Sequence, residues 1–150
     1  ADIFRSLHYG DASDTWSAHP LGCASVLATL DIFEKNRVID HVRKIAPIFR
    51  SGLGRLREIP IVSAVRGEGI VWGIEFADFG DIDSTRIANQ VVKAAYLGDD
   101  QGNAIHLLGP LAGNVIRISP PLTITEEEAH HWLDVLFRLT SSVAQSLGKR

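Results

Sequence analysis

Apolar residues recur at helical spacing over two long stretches near the start of the chain. From Pro20 to Lys35 they fall three and four positions apart, and further apolar residues line a second side. This pattern predicts a helix that is apolar almost all round, and such helices are buried. A second helical pattern runs from Val38 to Leu56, with Pro47 inside it. Because proline removes a backbone donor and crowds the preceding turn, we expect this helix to kink or break there.

Beyond residue 60 the pattern changes to short stretches typical of strands. Residues 61–65 and 70–76 are rich in β-branched and aromatic side chains, and the glycine-containing turn 66–69 lies between them. This arrangement predicts a β-hairpin. Two more strands are predicted at 104–108 and 114–118, joined by a loop that contains glycine and proline.

One helix is expected between the two strand pairs and another after them. Asp83 or Ser84 can cap the first, and Gly98 is a stop signal. Thr125 and Glu128 have the spacing of a capping box at the start of the last helix. The order of elements indicates an α+β fold, in which long N-terminal helices precede a small, mainly antiparallel sheet with helices on one face.

The composition is that of an ordinary globular protein and excludes several kinds of partner. The 150 residues are 45% hydrophobic and 22% charged, with a formal net charge of -3. Charges of both signs are interspersed, so no nucleic-acid partner is expected. Charges interrupt the apolar stretches before they reach spanning length, so no membrane partner is expected. The single cysteine, Cys23, lies on an apolar helical face, which suits a reducing compartment and predicts a cytoplasmic location.

The loop before the first helix offers the chemistry of an anion site. Thr15 and Ser17 supply hydroxyl groups, and Pro20 suits a first helical turn, where the backbone N–H has no partner in the helix. Hydroxyl and free N–H groups at a helix start can hold an anion. From the residues alone, a plain turn or cap is the commoner role for Thr15.

Arg117 is the second candidate site residue. It follows apolar strand residues and precedes the rigid bend Ser119-Pro120-Pro121. An arginine held in this way is suited to a bidentate grip on a carboxylate, although a solvent-facing arginine or an ion pair fits the same pattern. No metal site is expected, because the adjacent His130 and His131 point about 100° apart on a helix.

Three stretches resemble, in order, the class III aminotransferases, which use pyridoxal 5′-phosphate. They are Thr15-Trp16-Ser17-Ala18-His19-Pro20-Leu21-Gly22-Cys23, then Val65-Arg66-Gly67-Glu68-Gly69-Ile70, then Ile116-Arg117-Ile118-Ser119-Pro120-Pro121-Leu122-Thr123. Trp16 stands where Tyr or Phe is commoner. Ala18 replaces a usual glycine and reaches a positive φ at a higher cost than glycine does. Arg66 and Glu68 belong to the shared turn and are assigned no chemical role.

The resemblance implies the small domain of a fold-type I pyridoxal-phosphate-dependent transferase. Residues 1–36 are expected to be the end of the large domain, the phosphate loop and the start of the connecting helix, and residues 37–150 the C-terminal small domain. Thr15 is expected to bond the cofactor phosphate across a homodimer, and Arg117 to bind the substrate carboxylate. The implied partners are the large domain of the same subunit, the second subunit, an amine or amino acid donor and a 2-oxo acid.

An aminotransferase also needs a lysine that forms a Schiff base with the cofactor. The chain has Lys35, Lys44, Lys93 and Lys149, and none stands in a sequence like the family's lysine motif. The chain also has no methionine. We therefore expect the lysine to lie upstream of Ala1 and the chain, as the C-terminal part of a larger enzyme, to be inactive alone. No catalytic residue is assigned within it.

Two functions of other classes remain open from the residues. One is a free-standing α+β module that binds a small carboxylate through Arg117. The other is a purely structural dimerisation piece. Neither explains why the three motifs occur in the order of the family.

Overall fold

The structure, a computed structural model, describes residues 5–11, 15 and 17–148. The elements are α1 (Pro20–Lys35), α2 (Val38–Gly54), a 3-10 helix (Arg55–Glu58), β1 (Val62–Glu68), β2 (Val71–Phe76), α3 (Ser84–Leu97), β3 (Val115–Ile118) and α4 (Glu126–Leu147). The chain divides between Val38 and Ile39 into two compact units. The assignment of residues 1–36 and 37–150 to a large and a small domain stays a prediction.

The sheet is antiparallel throughout, with the strand order β1-β2-β3. The hairpin is tighter than predicted, because β1 continues through the expected turn to Glu68 and pairs that residue with Val71. The loop is therefore only Gly69 and Ile70. Gly69 has a φ of 59°, which fits a two-residue hairpin turn with glycine at its first position. The shared glycine motif thus belongs mainly to a strand, and the prediction of a turn at 66–69 is wrong.

The strand predicted at 104–108 does not form, and only β3 follows α3. The backbone of this segment is anchored to a helix, since the Ile105 N–H donates to the carbonyl of Ala95 at 2.8 Å. Leu107 is buried in the core. An apolar run of this length predicts burial, but strand formation also requires a neighbouring edge with which to pair.

The sequence predicts a kink or break at Pro47. The break is wrong, because α2 runs through the proline without interruption, and the kink stays a prediction. Pro47 lies on the exposed side of the helix. Ile45, Phe49 and Leu53, on either side of it in the chain, are almost completely buried on the other face. Packing of this buried face holds the helix on both sides of the proline, and the missing hydrogen bond lies toward solvent.

The predicted ends of the later helices are confirmed. The Asp83 side chain caps α3 by accepting from the Arg86 N–H at 2.9 Å, and the helix ends at Gly98. Thr125 and Glu128 form the predicted capping box at the start of α4. Helix α3 packs against β2 and β3, and α4 packs against α3. Helices against a small antiparallel sheet confirm the α+β architecture. The centre of this core comprises Val65, Ile74, Phe76, Ile87, Val91, Ile116, Leu133 and Leu136.

Helix α1 has the predicted bounds but not the predicted burial, since none of its residues is buried. Leu21 is 74% exposed and Leu27 is 65% exposed. Cys23, expected in a core, is exposed as well. An apolar pattern all round predicts that a helix has packing partners, and the described residues of the unit 1–38 do not bury any residue of α1. No helix in the described part of the chain is long and apolar enough to cross a membrane.

Candidate functional site

Two arginines share one row on the exposed face of the sheet. Arg66 on β1 and Arg117 on β3 are both in register with Gly73 on β2. Directly paired residues extend from the same face, which here is the face opposite the buried side chains of Ile74 and Ile116. Gly73 carries no side chain, so the row consists of two arginines separated by bare backbone. We call this side the outer face, formed by Ala64, Arg66, Glu68, Val71, Gly73, Glu75, Val115 and Arg117.

Arg66 is engaged by a carboxylate from the neighbouring strand. Its Nη2 atom lies 2.5 Å from Oε2 of Glu75, whose side chain is 30% exposed. Glu75 stands two positions along β2 from Gly73, so the two side chains are diagonal neighbours across the strand pair. The pair cancels the charge of Arg66 within the outer face.

Arg117 differs from Arg66 because its side chain forms no hydrogen bond or ion pair with any residue that the structure describes. Its backbone is nevertheless well held. Ile116 and Ile118, on either side of it, are buried on the inner face, and Ser119-Pro120 follows directly. Several arginines of the same unit are paired: Arg50 with Glu68, Arg55 with Asp134, Arg66 with Glu75 and Arg138 with Asp99. Arg117 is thus an exposed, unpaired cation on a fixed strand, which suits a carboxylate ligand.

The other predicted site residue, Thr15, lies in the unit formed by residues 1–38. Thr15 is exposed, and its hydroxyl bonds to no residue among those described. Its neighbour Trp16 lies outside the described residues. Four positions on, His19 caps α1, with its Nδ1 accepting from the Gly22 N–H at 3.4 Å. Pro20 follows as the first helical residue, as predicted.

Ala18 adopts the backbone conformation for which glycine is preferred. Its φ is 56°, in the left-handed region, where an L-residue with a Cβ pays roughly 1–2 kcal/mol. The loop therefore keeps the strained shape at the position where the family usually has glycine. The hydroxyl of Thr15 is a donor of the kind that a phosphate dianion requires. The first turn of α1 adds few N–H groups, because Pro20 has none and those of Gly22 and Cys23 bond to His19.

No lysine in the described part of the chain lies in a buried site. Lys35 pairs with Asp31 at 3.1 Å on the exposed surface of α1, and Lys44 and Lys93 are exposed. Lys149 lies outside the described residues. In the same part of the chain, no cluster of histidine, cysteine, aspartate or glutamate has an arrangement that could hold a metal ion.

Two carboxylates have lowered pKa values for structural reasons. Hydrogen bonds from the Asn103 side chain and backbone, with smaller contributions from Arg138 and Gln101, lower the pKa of Asp99 to about 2. These bonds hold the loop after α3 together. The backbone N–H and hydroxyl of Thr125 lower the pKa of Glu128 in the same way. Both groups fix local structure and lie apart from the outer face.

A cavity of about 670 Å³ lies on the helical side of the fold, between α4 and the segments 104–107 and 118–125. Its walls are mainly apolar and include Phe49 and Leu133. Thr125 and Glu128 also line it, but they bond to each other. Arg117 is not among the lining residues. The cavity therefore does not extend the candidate carboxylate site.

The ion pair of Arg66 with Glu75 was not predicted from the sequence. Finding it requires the register of the hairpin, and the predicted turn at 66–69 gives a different register. A two-residue loop at Gly69-Ile70 pairs Arg66 with Gly73 and thereby places Glu75 diagonally opposite. The signal available in the sequence is the pair of opposite charges at those two strand positions.

Comparison with known proteins supports the resemblance. The family described as "Aminotransferase class-III" matches residues 1–139. Gamma-aminobutyrate transaminase 1, mitochondrial, of Oryza sativa subsp. indica is 33% identical over 121 residues, which cover 81% of this chain and 23% of that protein. Ornithine aminotransferase, mitochondrial, of Rattus norvegicus is 27% identical over 135 residues, covering 90% and 28%.

A solved structure has a similar fold. The ornithine aminotransferase of Toxoplasma gondii superposes with a TM-score of 0.76 at 26% identity, covering 99% of this chain and 33% of that one. The chain belongs to the class III aminotransferases, whose members depend on pyridoxal 5′-phosphate, and it has the fold of their type I transferase structures. It spans about a quarter of the length of the relatives cited above.

Proposed function

We propose that this chain works as the C-terminal part of a class III aminotransferase subunit, which transfers an amino group from an amine or amino acid to a 2-oxo acid. The proposal rests on the environment of the Arg117 side chain. It is exposed and unpaired on a strand fixed by the core, in a chain that belongs to this family. Its role is to hold and orient the substrate carboxylate through a bidentate contact.

Thr15 has the complementary role toward the cofactor. Its hydroxyl would donate a hydrogen bond to the phosphate of pyridoxal 5′-phosphate. The exposed position of Thr15 and the left-handed Ala18 support this assignment. When bound, the cofactor supplies an electron sink for the bonds at the amino carbon. The chain's own residues bind the cofactor phosphate and orient the substrate carboxylate.

The remaining parts of the active site belong, in this proposal, to other segments. The large domain of the same subunit supplies the lysine, and the second subunit of a homodimer receives the loop of Thr15. The exposed apolar sides of α1 support an assembly of this kind. We place the enzyme in the cytoplasm.

The amino donor carries a carboxylate as well as an amine. The relatives' names, gamma-aminobutyrate transaminase and ornithine aminotransferase, describe donors of this type. A single unpaired arginine on the outer face matches one carboxylate.

The test is the kinetics of Arg117 variants in the complete enzyme that contains this chain. Arg117→Ala should raise KM for amino donors with a carboxylate by about tenfold or more, as expected for loss of a charged hydrogen-bonded contact. KM for amines without a carboxylate should stay unchanged. Arg117→Lys keeps the positive charge but lacks the planar guanidinium that makes a bidentate contact, so the rise in KM should be intermediate.

Arg86 provides a matched control, because it is exposed on α3 and its side chain forms no ion pair or hydrogen bond with any described residue. Arg86→Ala should leave KM unchanged for both classes of donor. If Arg117→Ala affects carboxylate donors and simple amines equally, the assignment of Arg117 is wrong.

An immunoblot of the native source with antibody against this chain tests the assignment to a larger subunit. A band several times heavier than 16.4 kDa supports the proposal. A band at 16.4 kDa instead favours the carboxylate-binding module.

A further inference from the structure

The outer face carries two arginines in one row, but their charges are not equally available. Arg66 is bound to Glu75 at 2.5 Å, and Glu68, the other acid of this face, pairs with Arg50 of α2 at 3.4 Å. Arg117 has no partner among the described residues. The charges of Arg66, Glu68 and Glu75 are thus taken up in ion pairs, and the positive charge that is left for a ligand is that of Arg117.

The geometry of the row would suit a ligand with two carboxylates if both arginines were free. Arg66 and Arg117 are separated by two strand spacings, about 9.5 Å between their backbones. Gly73 leaves the strip between them open. A Cβ at Gly73 would lie 3.3 Å from Cγ1 of Val115, which is closer than ordinary van der Waals contact. Two arginine side chains extending from either side of this strip can reach toward one ligand.

From this arrangement we infer that Glu75 is a specificity-determining residue, which prevents the outer face from favouring ligands with two carboxylates over ligands with one. Glu75 acts through Arg66. It occupies the guanidinium that would otherwise bind a second carboxylate, and its own negative charge repels that group. The inference rests on the proposed function, because it takes Arg117 as the group that binds the first carboxylate.

The test compares two ligands that differ by one carboxylate, pentanoate and pentanedioate. Binding of each to the 150-residue chain is followed by NMR through the amide signals of Gly73 and its strand neighbours. The wild-type chain should bind both with dissociation constants within about twofold of each other. Glu75→Gln frees Arg66 without changing the size of the side chain. It should tighten pentanedioate binding by about fivefold, the upper range for an exposed ion pair, and leave pentanoate within about twofold.

Removing any negative charge from the outer face would also strengthen binding of a dianion. Glu68→Gln is the control for this effect. This variant removes the same charge from the same face but leaves the pair of Arg66 and Glu75 in place. It should not produce the fivefold preference. The double variant Arg66→Gln with Glu75→Gln should lose the preference, because the second cation is gone.

The outcomes separate this inference from the proposed function. If Arg117→Gln weakens pentanoate binding but Glu75→Gln produces no preference for pentanedioate, Glu75 has no selective role and Arg117 keeps its own. A preference that also appears with Glu68→Gln, or that survives loss of Arg66, likewise overturns the role of Glu75. If Arg117→Gln leaves pentanoate binding unchanged, the assignment of Arg117 in the proposed function fails.

Discussion

Gly52 of α2 lies directly against Leu133 of α4. A Cβ added at Gly52 would be 2.7 Å from the Leu133 Cδ1 atom, 3.1 Å from its Cβ and 3.2 Å from its Cγ. All three distances are shorter than ordinary contacts, so the absence of a side chain allows the two helices to approach. Gly54, two residues later, has no atom within 4 Å of the equivalent position, and its φ of -55° and ψ of -35° are helical.

The two glycines should therefore respond in opposite ways to the same substitution. Gly52→Ala should lower the free energy of unfolding by about 1–3 kcal/mol, because it overpacks the contact with Leu133. Gly54→Ala should raise it by about 0.5 kcal/mol, because alanine loses less chain entropy in a compatible conformation. Urea unfolding of the 150-residue chain measures both. Equal changes in the two variants would show that helix propensity, and not packing, governs this helix.

The loop after α3 should make stability depend on acid pH. The pKa of Asp99 is lowered from 3.8 to about 2 in the folded chain. A carboxylate with a lowered folded pKa contributes stability above its unfolded pKa, and that contribution is lost as the pH falls through the folded value. The stability from Asp99 should thus decline between about pH 4 and pH 2.

Asp99→Asn should remove this part of the pH dependence. The free energy of unfolding, measured from pH 5 downward, should fall less steeply in the variant than in the wild-type chain. Some dependence should remain, because Thr125 also lowers the pKa of Glu128. Asp100→Asn is the control, since it changes the next carboxylate of the same loop, for which no hydrogen bond is found among the described residues. An unchanged slope in Asp99→Asn contradicts the prediction.

Replacement of Thr15 should affect the cofactor more than the substrate. In the complete enzyme, Thr15→Ala should speed dissociation of pyridoxal 5′-phosphate by about tenfold, the loss expected for one hydrogen bond to a charged group. KM for carboxylate donors should change by less than about twofold, because Arg117 is untouched. Absorbance of the bound cofactor after dilution measures the dissociation rate.

Thr15→Ser keeps the hydroxyl and serves as the matched variant. It should retain the cofactor nearly as well as the wild-type enzyme. Loss of dimer assembly in Thr15→Ala, with unchanged cofactor dissociation per assembled dimer, would instead assign Thr15 a structural role.

Helix starts and stops were predictable from the sequence because their causes are local. The cap at Asp83, the end at Gly98 and the capping box of Thr125 with Glu128 all involve groups within a few residues of one another. The family was recognisable for a related reason. Its three motifs are short and contiguous, so their order can be read without knowing how the chain folds.

Predictions failed where a distant contact outweighs local preference. Pro47 does not end α2, because the buried face of that helix is held by the core. Residues 104–108 have the composition of a strand but are anchored to the end of α3. The apolar pattern of α1 correctly predicts a helix, yet its packing depends on partners that the pattern does not specify.

The sequence alone thus determined the family, the α+β class, the helix ends and the two candidate residues Thr15 and Arg117. Only the tertiary structure decided which of the outer-face arginines is free. That choice follows from the hairpin register, which places Glu75 diagonally opposite Arg66. Register depends on backbone pairing across the sheet. Charged residues that are far apart along the chain therefore become neighbours only once the strands have paired.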